Sequence, residues 1–179
     1  FFHPDPTVKR KSGFLTPSYN SSKSLGNSIN IPYFKIIDID KDIEERENMS
    51  IRDIFEKKSE EYFRKVEKKE SLKSLMQENS IIALGGGAFI NKEIRNLAKK
   101  TSVTFWLNLS VELLVKRLAQ SKKRPLLDFN NLDKSLRAIL RERKEIYKLA
   151  DFKIDCNYIS KAVIANKIIK LHESKQNKS

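Results

Sequence analysis

An α/β layered domain built on a parallel sheet is the fold class this chain predicts, and three observations carry it. From Lys35 onward, short apolar runs alternate with amphipathic stretches of helical period. Ser or Asn stands in front of several of those stretches, where a helix needs a cap. The run Ile81-Ile82-Ala83-Leu84 opens directly into Gly85-Gly86-Gly87, at the strand exit where open parallel sheets meet their ligands.

Taken in order, Ile36-Ile37-Asp38-Ile39-Asp40 reads as a buried strand ending in carboxylates. Helical stretches follow from about Asp42 and from Ser50, whose Ser-x-x-Asp start suits an N-cap. A longer helix spans residues 59–77, and 81–84 form the next strand. Asn91 caps a short helix holding Ile94, Leu97 and Ala98. Residues 103–109 form a strand, and Ser110 caps the helix carrying Leu114 and Leu118. Residues 132–147 are helical, 152–156 a strand and 162–172 a closing helix, with 174–179 a polar tail.

Residues 1–35 have another composition. They hold four of the five prolines and two of the five glycines, with many Ser and Asn and no helical period. Alone, they read as a loop or a β-hairpin fragment in front of a domain at 36–173.

The 179 residues suit one domain with a real core. The formal charge of +13 comes from lysines and arginines interleaved with acids along the whole chain. There is no basic stripe with interleaved aromatics, which argues for compositional bias over nucleic-acid binding. Cys156 is alone, so no internal disulfide forms and a reducing compartment fits. No apolar run approaches the ~20 residues of a membrane span. The chain opens at Phe1 without Met or a signal-peptide pattern, which reads as an N-terminus that is not natural.

Four features can carry chemistry. In a regular strand Asp38 and Asp40 share one face; one carboxylate can hold the water shell of Mg²⁺ while the other accepts a hydroxyl proton, or both can serve as helix N-terminal acids. Gly85-Gly86-Gly87 lets successive backbone N–H groups approach a polar or anionic ligand, or simply makes a tight turn. No Lys-Ser or Lys-Thr follows these glycines, so they are not a phosphate loop of the P-loop type. Arg143 shares an apolar helical stripe with Leu136, Ile139, Leu140 and Tyr147, where a guanidinium needs either an anion or a route to water. Arg64 stands three residues before Glu67, in ion-pair reach. Lys122-Lys123-Arg124-Pro125-Leu126-Leu127 is a basic inter-helix turn, suited to a lid over phosphates or to plain solvation.

In this order and at these spacings, five pieces resemble shikimate kinase: Asp38-Ile39-Asp40, Phe63-Arg64 with Glu67, Leu84-Gly85-Gly86-Gly87-Ala88, Lys123-Arg124-Pro125-Leu126-Leu127, and Arg143 four residues before Tyr147. The resemblance implies a P-loop-kinase-like sheet with flanking helices, in a cytoplasmic enzyme that uses ATP and Mg²⁺ to phosphorylate the 3-hydroxyl of shikimate on the route to chorismate. By the same resemblance, Asp40 holds the substrate hydroxyls and is the candidate base. Arg64, Arg143 and Gly86 bind the shikimate carboxylate, Asp38 organises Mg²⁺, Arg124 is the lid arginine and Arg117 lies along the adenine. The adenine-side loop at 157–161 has no arginine. Neither nucleic acid nor membrane is an expected partner.

Residues 2–14 and Pro32-Tyr33-Phe34 resemble instead the outer-membrane lipopolysaccharide-assembly protein, where its periplasmic part meets the barrel. A shikimate kinase begins with a strand, a glycine-rich Lys-Ser or Lys-Thr loop and a helix. Here Lys23-Ser24 precedes Gly26 with no glycine run leading into it. The expectation is therefore a kinase domain lacking its first strand, phosphate loop and first helix, a chimera joined between Pro32 and Asp42. A natural fusion and a split enzyme are the alternatives. As function, a shikimate-binding module without catalysis or a basic nucleic-acid-binding domain stands beside an inactive kinase.

Overall fold

The structure, a computed structural model, describes residues 34–118 and 131–176, together with the main chain of 12–15. Five strands form one sheet: β1 (Ser12–Leu15), β2 (Lys35–Asp38), β3 (Ser80–Leu84), β4 (Val103–Asn108) and β5 (Phe152–Asp155). Their spatial order is β2-β3-β1-β4-β5 and every pairing is parallel. Seven helices are described: α1 (Ile39–Glu47), α2 (Ile51–Lys58), α3 (Glu60–Leu75), α4 (Lys92–Thr101), α5 (Val111–Leu118), α6 (Leu132–Tyr147) and α7 (Lys161–Gln176).

The strand alternation sorts side chains into two cores, as expected of a sheet covered on both faces. In β4, Phe105 and Leu107 pack with Leu114, Leu136, Ile154 and Ile168. Trp106 packs on the other side with Ile37, Phe63, Ile82, Leu84 and Tyr147. Helix α6 thus begins in the first core, with Leu132 and Leu136, and ends in the second, with Tyr147. Arg143 sits one turn before that end.

The expected caps hold. The Ser50 hydroxyl accepts the Asp53 N–H at 3.1 Å, the Asn91 side chain accepts from Glu93 and Ile94, and the Ser110 hydroxyl accepts from Leu113. The closing helix begins at Lys161 and runs to Gln176, so residues of the expected polar tail continue it.

Two expectations are corrected. A first strand is present: β1 lies inside the sheet, pairing Ser12–Leu15 with Ile81–Leu84 on one side and Val103–Trp106 on the other. Four residues between Lys11 and Thr16 gave too short a run to read as a strand, yet the slot between β3 and β4 has ladder groups to satisfy on both sides. The expected absence of a phosphate loop and first helix falls on residues 16–33, outside the described residues. The second correction concerns Asp38 and Asp40, which do not share a strand face. The strand ends at Asp38, whose Oδ1 accepts the Lys41 N–H at 3.4 Å as the cap of α1, and Asp40 lies in the first helical turn. An acid at that position satisfies the exposed amide end of a helix, which outweighs one more residue of strand.

Candidate functional site

The carboxyl ends of β2 and β3 open side by side, and α3 and α6 bring charge to them. Gly85 lies so close to two carboxylates that an added Cβ would stand 2.9 Å from Glu67 Oε1 and 3.2 Å from Asp40 Oδ1. At Gly87 a Cβ would overlap the guanidinium of Arg64. A side chain at either position would displace these charged groups, because α3 is laid against the turn. Gly86 is buried, and its carbonyl accepts the Tyr147 hydroxyl at 2.5 Å.

Arg64 is half-buried. Its Nη1 donates to Glu67 Oε2 at 2.8 Å, and Nε and Nη2 donate to Glu60 Oε1 at 3.2 and 3.1 Å. Glu67 is 3% exposed. Burial pushes its carboxyl above the ordinary range; Arg64 pulls it back, Asp40 adds to the rise and Arg143 opposes it. Burial likewise raises the Tyr147 phenol, against the opposing charge of the nearby Arg143 guanidinium. Asp40, Arg64, Glu67, Arg143 and Tyr147 therefore feel one another around the glycine turn.

Of the residues expected at the site, the structure gathers Asp40, Arg64, Gly86 and Arg143. Asp38 stands at the adjoining strand end as a helix cap. Arg117 is exposed on α5, and its charge is felt at Cys156, just beyond β5. That places it toward the other end of the sheet. Burial first, then Asp155, lifts the Cys156 thiol to about 11, so it stays protonated at neutral pH. Arg124 and the basic turn lie outside the described residues. Sequence reasoning paired Glu67 with Arg64 but gave neither Glu67 nor Tyr147 a place at the site. Their signals were spacing alone: three residues after Arg64 and four after Arg143.

As chemistry, the arrangement offers two guanidinium groups and a glycine turn to a small carboxylate, and an Asp40 carboxylate to hydroxyls beside it. Among the described residues no three His, Cys, Asp or Glu side chains gather to hold a metal, and no helix is long and apolar enough to cross a membrane.

Known proteins agree on the ancestry. The family profile for shikimate kinase matches residues 22–173. A shikimate kinase from a Sulfurihydrogenibium species is 37% identical over 147 residues, covering 82% of this chain and 86% of that protein. One from Aquifex aeolicus is 40% identical over 144 residues, covering 79% and 82%. The solved shikimate kinase of Acinetobacter baumannii in complex with shikimate superposes with a TM-score of 0.86 at 28% identity, over 94% of this chain and 95% of that one. With the fold, the glycine turn and matches across most of the chain in accord, this protein belongs to the shikimate kinase family.

Proposed function

We propose that the chain binds shikimate at the glycine turn. Arg64 and Arg143 take the carboxylate with help from the Gly86 backbone, and Asp40 takes the ring hydroxyls. The convergence of Asp40, Arg64, Glu67 and Arg143 on Gly85–Gly87 carries this reading. In the family's reaction Asp40 is the group placed to accept the 3-hydroxyl proton. ATP with Mg²⁺, when bound, supplies the phosphoryl group and neutralises its charge. Arg117, Arg124 and Asp38 are the residues that would hold them. The family's setting is cytoplasmic, and we place this chain there.

We further infer that turnover by this chain alone is negligible. Between β1 and β2 the sequence has one glycine, Gly26, and it follows Lys23-Ser24. A phosphate loop needs glycines before the lysine, so that backbone N–H groups can close on the phosphates.

Calorimetric titration tests the binding. Shikimate should bind, and Arg64→Ala or Arg143→Ala should each weaken it by roughly 1.5–3 kcal/mol, the worth of a charge-assisted bond. A shikimate ester should bind the parent weakly and lose little more in either variant. Equal losses toward ester and acid would show the carboxylate clamp to be misassigned. A coupled assay giving turnover in the ordinary kinase range of ~1–100 s⁻¹ contradicts the inference of inactivity. Replacing residues 16–33 by a family glycine loop and helix, with β1 kept, should restore turnover.

A further inference from the structure

The Tyr147 hydroxyl bonds the glycine turn and feels the charge of the Arg143 guanidinium on its own helix. It has a single proton, and that proton is given to the Gly86 carbonyl at 2.5 Å. The oxygen lone pairs are left without that proton, and the positive charge of Arg143, one helical turn earlier, bears on them. The ring itself is 1% exposed and held in place by Trp106, at 5.8 Å between centroids. Phenol, guanidinium and turn therefore form a chain anchored in the core at one end and presented to the site at the other.

From this geometry we infer that Tyr147 is the positioning residue of the carboxylate clamp, setting the Arg143 guanidinium and the Gly86–Gly87 peptide in register for one ligand carboxylate. The inference deepens the proposed function and rests on its assignment of the site. The phenol touches no substrate in this scheme. It acts by fixing two groups that do, and a misplaced clamp is costly because bidentate recognition depends on aim. Phenylalanine fills nearly the same space, but it leaves the Gly86 carbonyl buried without its donor and removes the polar oxygen beside Arg143.

The test is titration of shikimate and of a shikimate ester into the full chain, Tyr147→Phe, Arg143→Ala and the double variant. We expect Tyr147→Phe to weaken shikimate by about tenfold, the size of one lost buried hydrogen bond. Ester binding should move by less than about twofold, and Tyr147→Phe should cost less in the Arg143→Ala background than in the parent, because part of the phenol's effect passes through the guanidinium and the rest through Gly86. General loosening of the fold would weaken acid and ester alike. Near-UV circular dichroism from Trp106, the single tryptophan, reports whether the variant keeps its packing. A folded Tyr147→Phe that binds shikimate as the parent does, or loses equally toward acid and ester, overturns the inference. Should Tyr147→Phe not fold, the buried Tyr147 hydroxyl proton is followed by NMR in the parent. It should shift when shikimate saturates the chain, and an unmoved resonance overturns the inference. A parent that fails to bind shikimate overturns the site assignment, and this inference with it; the parent titration alone tells the two failures apart.

Discussion

Gly87 has an ordinary helical backbone, φ −80° and ψ −29°, so its conformation does not call for glycine. What it lacks is room, because the Arg64 guanidinium lies across its Cα. Gly87→Ala should therefore leave stability nearly unchanged, since the displaced atoms are the end of a flexible side chain. Moving them takes Arg64 off Glu67 and out of the clamp. We expect shikimate affinity to fall by roughly 1.5–3 kcal/mol, about as far as in Arg64→Ala. Titration beside a urea melt separates the two effects, and a large stability loss with unchanged affinity refutes the account. Arg143 was legible in the sequence because a guanidinium in an apolar stripe demands an explanation. Tyr147 was not, because a tyrosine on that stripe looks like core, and its hydroxyl bond to Gly86 spans 61 residues.

At the scale of elements, local rules read well wherever the decision was local. Ser50, Asn91 and Ser110 start helices as their side chains dictate. Asp38-Ile39-Asp40 misled because alternation and capping competed over three residues, and capping won. The tie between β4, β5 and α7 is a tertiary matter. Asp151 Oδ2 accepts both the N–H and the hydroxyl of Thr104, at 2.8 and 2.7 Å, while Oδ1 meets Lys175 at 2.6 Å. Burial pushes the Asp151 carboxyl up, but Lys175 and Thr104 outweigh it and hold it below its ordinary 3.8. A depressed carboxyl contributes stability above the unfolded value, and that contribution is lost as pH falls through the folded one. Asp151→Asn should cost ~1 kcal/mol at neutral pH, as expected for weakened charge-assisted bonds at a partly solvated acceptor. The gap to the parent should shrink below pH 3.8. Urea melts in the two ranges measure it, and a gap that widens in acid contradicts the assignment.

For the whole molecule the decisive element is β1, four residues that join the two halves of the sheet. Without it, β3 and β4 would not be neighbours across a shared strand. Phe14→Pro tests its weight, because proline removes a ladder donor from an interior strand and is tolerated only at edges. The expected loss is ~3 kcal/mol or more, a large part of an ordinary margin of ~5–15 kcal/mol. A urea midpoint that does not move would show that residues 12–15 do not carry the fold.

Periodicity, caps and the glycine run by themselves determined the α/β class, four of the five strands and the seven helices now described, because each depends on neighbours within a few positions; the family came from the resemblance of five motifs taken together. The same local reading singled out Arg64, Gly86, Arg143 and Asp40, which the structure brings near one another. Tertiary structure alone decided that Ser12–Leu15 completes the sheet, since a four-residue strand becomes favourable only when two neighbours offer it ladders. It also decided that Glu67 and Tyr147 belong to the site. Their place depends on α3 and α6 meeting one turn after β3, a convergence of segments 61 residues apart that no local pattern encodes.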